Sequence, residues 1–154
     1  MCAFKRSEKG MEFFMKLVYP ACFYQEDDGS FSVTVPDLKG CITQGDTLQE
    51  AIQMAEDAAL GWLLTSVEEG EELPKASDIK DIKLEYSNGF TSLLLLDLGL
   101  YSQKYGNRKS VKKTLTIPLW LNEVAEKYNV NFSKTLQEAL FNTVILKNNK
   151  TTKK

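Results

Sequence analysis

The sequence predicts an α+β protein in which an antiparallel sheet with one long helix precedes a smaller strand–helix–helix module. Three observations carry this. Residues 16–45 hold short alternating apolar runs cut by turn clusters. A capped helix with one apolar stripe starts at Thr47. Beyond residue 110 the chain turns basic and runs through one alternating strand and two short amphipathic helices.

The elements follow in order. Lys16 to Gln25 is rich in aromatic and β-branched residues, and Phe31 to Val35 alternates, so with the turn Glu26-Asp27-Asp28-Gly29-Ser30 between them they read as a hairpin. Pro36 cannot donate to a ladder and ends the second strand. A third strand, Cys41 to Gln44, leads into Thr47-Leu48-Gln49-Glu50, the spacing at which a Thr hydroxyl and a Glu carboxylate satisfy each other's helix-start amides. Leu48, Ala51, Ile52, Ala55, Ala58, Ala59, Trp62 and Leu63 recur at helical steps to about Ser66. The acidic run Glu68 to Pro74 ends that helix, and Ile79 to Tyr86 with Phe90 to Leu96 reads as a second strand pair about an Asn88-Gly89 turn.

Residues 101–110 are polar and end in Gly106-Asn107-Arg108-Lys109-Ser110, a linker composition. In Val111 to Ile117, Val111, Leu115 and Ile117 share one face while Lys112, Thr114 and Thr116 share the other. Pro118 suits the first turn of a helix carrying Leu121, Val124, Ala125 and Tyr128. Ser133 reads as the N-cap of a second helix with Leu136, Ala139, Leu140 and Val144 on its apolar face. The expected division is a flexible leader at 1–14, a sheet-plus-helix domain at 15–100, a linker at 101–110, the small module at 111–147 and a disordered basic tail at 148–154.

Composition narrows the chemistry. The 154 residues contain no histidine, which removes the Ser-His-Asp and Cys-His arrangements and the usual zinc ligand. Cys2, Cys22 and Cys41 lack a C-x-x-C spacing and read as reduced thiols. With neither a signal-peptide core nor an apolar run of membrane length, the expected location is the cytoplasm. Gly40, Gly45 and Thr47 have phosphate-loop spacing, but Asp46 stands where that loop needs lysine, so both glycines read as turn residues. Asp27 and Asp28 read as turn formers. No catalytic residue, metal ligand or cofactor is expected.

The net charge of −2 hides a division. Residues 1–100 hold 8 Lys or Arg against 18 Asp or Glu, a net of −10, whereas residues 101–154 hold 11 against 3, a net of +8. A basic end points to nucleic acid and an acidic one to a cationic partner.

A strand and two helices in under 40 residues cannot cover their own apolar faces, so the module is expected to pair with a copy of itself. Two such strands side by side would present Lys112, Thr114 and Thr116 as a ribbon sized for the major groove. Lys113, Asn131, Ser133 and Lys134 are the phosphate candidates, the last three standing where the free amides of a helix start favour an anion. In this pattern the module resembles the ribbon-helix-helix repressors.

Upstream, Tyr19-Pro20-Ala21, Gly29 to Val33, Val35-Pro36-Asp37-Leu38-Lys39-Gly40-Cys41 and Gln44 to Ala51 resemble the HicB antitoxin domain over about residues 15 to 66. The resemblance implies a partial ribonuclease-H-like domain without nuclease activity, a small basic HicA-type ribonuclease toxin as partner, and repression of the operon through the C-terminal module as a dimer or tetramer. Glu56, Asp57, Glu68 and Glu69, on the long helix and just past it, are the toxin-contact candidates. Two other classes compete. One is a ribbon-helix-helix regulator whose acidic domain binds a small ligand or another protein; the other is an enzyme with a ribonuclease-H-like site.

Overall fold

The computed structural model describes residues 16–107 and 109–150. The leader at 1–14 and residues 151–154 of the tail lie outside the described residues. Strands β1 (Lys16–Gln25), β2 (Phe31–Thr34), β3 (Ile42–Gly45) and β4 (Gly89–Asp97) form one antiparallel sheet in the order β3-β2-β1-β4. Helix α1 (Leu48–Glu68) packs on one face of it, and α2 (Leu98–Tyr105), α3 (Leu119–Lys127) and α4 (Phe132–Lys150) follow. The α+β reading therefore holds, with four helices among the described residues where three were expected.

The sheet follows from side-chain alternation and one long-range pairing. β1 is central and pairs with β4 from Lys16↔Asp97 to Tyr24↔Gly89, but with β2 only from Cys22↔Thr34 to Gln25↔Phe31. Pro20, which has no amide to donate, sits where β1 has run past the end of β2. Tyr19, Ala21, Phe23, Val33, Leu94 and Leu96 turn inward and meet Ala51, Ala55, Ala59 and Leu63 of α1. Three alanines on that face let α1 approach the sheet closely. Of the predicted stripe, Leu48 and Ile52 lie instead at 40% and 37% exposure, because the buried row runs 51-55-59-63.

The Thr47 cap forms: its hydroxyl accepts from the Glu50 amide at 3.1 Å. The reciprocal half is displaced by one residue, since Glu50 Oε2 accepts from the Asp46 amide at 2.9 Å instead of from Thr47. Thr47→Ala is expected to cost about 1 kcal/mol, read from the urea midpoint.

The strand expected at Ile79 to Tyr86 is absent. Ile79–Asp81 is a 3-10 turn, and the chain after it crosses the outer face of β1, where the Glu85 amide donates to Tyr24 Oη at 3.0 Å and the Tyr86 ring meets Tyr24 edge-on. β4 pairs with β1 instead of with its sequence neighbour, a choice local alternation does not reveal. The predicted turn residue Asn88 donates from Nδ2 to the Gln25 carbonyl at 2.7 Å.

Two further ties hold the acidic loop down. Tyr19 Oη donates to the Pro74 carbonyl, and both Asp37 carboxylate oxygens accept from Ser77. Burial, with the Asp37 charge adding to it, pushes the Tyr19 phenol up to about 12. The folded state thus keeps the neutral phenol longer than the unfolded chain, whose tyrosine ionises near 10. Stability from this group is present below pH 10 and is lost as the pH rises through about 12. Tyr19→Phe is expected to flatten that alkaline slope in denaturation curves taken between pH 9 and 12.

Residues 101–105, expected to open the linker, belong to α2. Asp97 Oδ1 caps it by accepting from the Leu100 amide at 2.9 Å, Leu98 is fully buried, and Tyr101 packs on the core. Pro118 stands one place earlier than expected, as the N-cap of α3. At α4 the capping side chain is Asn131, not Ser133: Asn131 Oδ1 accepts from the Lys134 amide at 3.0 Å. The basic tail set at 148–154 begins inside α4, which runs to Lys150. Among the described residues no helix is long and apolar enough to cross a membrane.

Candidate functional site

The acidic candidates stand on α1 and at its end, in different settings. Glu56 and Asp57 flank a cleft between α1, α2 and the end of β4, and Asp57 Oδ1 accepts from Tyr101 Oη at 3.3 Å. Burial, then the Asp57 charge, raises the Tyr101 pKa, so the phenol remains a donor at neutral pH. Glu68 is about three turns further on, with Oε1 accepting from the Asn107 amide at 2.7 Å, which ties the chain after α2 back to α1. Glu69 is the C-cap residue of α1 and lines a separate cleft with Trp62 and Glu71. The four are thus split, with Glu56 and Asp57 in one place and Glu68 and Glu69 in others.

Sequence reasoning missed the other wall of the first cleft. Asp97, Leu100, Tyr101 and Tyr105 come from the end of β4 and from α2, the helix taken for linker. The available signal was Asp97 as a cap, followed by Leu98, Tyr101 and Tyr105 at three- and four-residue steps.

The basic candidates lie in the C-terminal module. Residues 111–118 belong to no helix or strand, and all of them are exposed, Lys112, Lys113, Thr114 and Thr116 included. A strand is defined by its ladder partner, and a ribbon that pairs with its own copy has none within one chain. Asn131, Ser133 and Lys134 gather at the start of α4, also exposed, with Lys134 Nζ 3.9 Å from Glu138.

The apolar face of the same module is open. Val111, Leu115 and Ile117 are 73%, 62% and 41% exposed, and Leu121, Val124, Leu140 and Val144 lie between 40% and 54%. Glu138 and Phe141, on another side of α4, are buried and partly buried, Phe141 against the sheet-and-α1 core. An uncovered apolar row of this size is uncommon on the surface of a single folded chain.

Cys22 and Cys41 are buried free thiols whose pKa values burial raises, which makes them poor nucleophiles. Asp28 is held below the usual carboxylate range by the Ser30 hydroxyl and amide, as its turn role requires. Among the described residues no three His, Cys, Asp or Glu side chains converge as a metal site.

The family model described as HicB_like antitoxin of bacterial toxin-antitoxin system matches residues 19–140. A 14.9 kDa protein from the rep-hol intergenic region of Haemophilus phage HP1 is 34% identical over 107 residues, 68% of this chain and 76% of its own length. Antitoxin HicB 1 of Photorhabdus laumondii is 32% identical over 100 residues, 62% of this chain and 64% of its own length. Among solved structures, a toxin-antitoxin complex from Streptococcus pneumoniae contains a chain 31% identical, with a TM-score of 0.52 over 84% of this chain and 99% of that one.

Proposed function

The chain belongs to the HicB-like antitoxin family of bacterial toxin-antitoxin systems, and from that premise we propose that it inhibits a small basic HicA-type ribonuclease toxin and represses its own operon. The sheet and α1 form a partial ribonuclease-H-like domain that holds the toxin and has no nuclease activity of its own. The division of charge supports this reading: an acidic domain draws a cationic, RNA-binding protein quickly and competes with its substrate.

The C-terminal module, 111–147, acts as a ribbon-helix-helix dimer on operator DNA. The observation that carries this is the uncovered apolar row Val111, Leu115 and Ile117 on the same seven residues that expose Lys112, Thr114 and Thr116. Pairing two copies covers the first row and aligns the second for the major groove, while Lys113, Asn131, Ser133 and Lys134 meet phosphates. Dimers pairing further would give a tetramer. The setting is the cytoplasm, where both toxin and operator are found.

Growth assays test the inhibitory half. Expressing the adjacent reading frame alone should halt growth, and co-expression of this chain should restore it. Arrest that this chain fails to relieve contradicts the antitoxin reading. For the DNA half, Lys112→Ala and Thr114→Ala are each expected to weaken operator binding by about tenfold or more in a mobility-shift titration while leaving growth rescue intact.

A further inference from the structure

The cleft between α1, α2 and the end of β4 joins features that a solvated acidic surface does not need. Its volume is about 370 Å³. Glu56 and Asp57 enter from α1, and Asp97 enters from β4 with one oxygen already spent on the Leu100 amide. The other wall is aromatic and apolar: the Tyr101 and Tyr105 rings lie 4.6 Å apart at 44°, and the rim residues Leu100 and Tyr105 are 64% and 54% exposed. Tyr101 Oη holds the Asp57 carboxylate in place before any ligand arrives. Lys104 also lines the cleft, its Nζ 4.8 Å from the centroid of the Tyr105 ring, so the ring already carries a cation of this chain, whose place an arriving guanidinium would take.

We propose that this cleft receives an arginine side chain of the partner protein, its guanidinium set between the α1 carboxylates and the face of Tyr105. Arginine fits where lysine fits less well. Its planar fork matches a carboxylate with two parallel hydrogen bonds, its plane stacks on a tyrosine ring, and its methylene stem can lie against Leu100. Tyrosine and arginine in a partly desolvated pocket are also the residue types that dominate interface energies. The identity of the partner as a toxin rests on the antitoxin reading, whereas the chemistry of the cleft does not.

The test uses the full chain with the product of the adjacent reading frame, by titration calorimetry. Glu56→Gln with Asp57→Asn, and separately Tyr105→Ala, are expected to weaken binding about tenfold or more, and Tyr105→Phe to retain it. The control, Glu26→Gln with Asp27→Asn in the β1–β2 turn, removes as much negative charge and should change affinity less than twofold. Full affinity in the cleft variants overturns the cleft and leaves the antitoxin reading standing. If wild-type chain does not bind the neighbour at all, the antitoxin reading fails instead. A second measurement then decides the cleft: arginine amide titrated into ¹⁵N-labelled full chain should shift the amides of Asp57, Asp97 and Tyr105 more than lysine amide does. Equal or absent shifts overturn the proposal.

Discussion

Gly45→Ala is expected to destabilise the sheet-and-helix domain by about 3 kcal/mol or more in urea denaturation. A Cβ built on Gly45 would stand 2.3 Å from the Ala51 nitrogen and 2.7 Å from its Cα. These are backbone atoms of the first turn of α1, so no rotamer change relieves the contact. Relief requires α1 to lift from β3, which would uncover the row Ala51, Ala55, Ala59 and Leu63 that seals the core. Gly40 offers the contrast. It holds a φ of +78° with no neighbour within 4 Å of its Cβ position, so alanine there meets backbone strain alone and should cost about 1 kcal/mol. A Gly45→Ala protein as stable as wild type would mean that the β3–α1 junction is looser than this packing requires.

The second large effect concerns assembly. Leu115→Asp with Ile117→Asp places two carboxylates on the row that is 62% and 41% exposed in the single chain and that pairing would bury. Burying unpaired carboxylates costs several kcal/mol per copy, which a small dimer interface cannot offset. Sedimentation should show the variant as a monomer at concentrations where the wild type is a dimer, and operator binding should fall at least a hundredfold, since each half-site is then held singly. Toxin binding should survive, because the acidic domain has its own core. A variant that stays dimeric and still binds DNA would remove the ribbon from the account.

The sequence disclosed the fold wherever local rules govern. The β1–β2 turn, the Thr47 cap and the α1 period are all decided within a few residues by turn chemistry and side-chain spacing, and each forms close to where it was expected. It failed where partners are distant. Ile79 to Tyr86 has strand-like residues, yet β1 takes β4 as its partner and leaves that segment to cover Tyr24. The helix α2 was hidden by polar Ser102, Gln103 and Lys104, although Leu98 and Tyr101 anchor it to the core.

The candidate contact residues divide along the same line. Glu56 and Asp57 were legible as charge on the outer side of a helix. Their aromatic neighbours were not, because Tyr101 and Tyr105 reach them only through the fold of α2. The proposed DNA contacts Lys112, Thr114 and Thr116 follow from strand alternation, and Asn131, Ser133 and Lys134 from a helix start; all six are exposed on a module whose apolar side is equally open.

In the proposed function one chain holds a toxin with its acidic domain while a pair of its basic modules grips DNA. Native mass spectrometry of the chain co-purified with the product of the adjacent reading frame, mixed with a duplex from its own promoter, tests both halves at once. The expected result is a single assembly containing the duplex, an even number of copies of this chain, and the neighbour's product. A toxin-free chain on DNA, or a toxin-bound chain that remains monomeric and ignores the duplex, would contradict it.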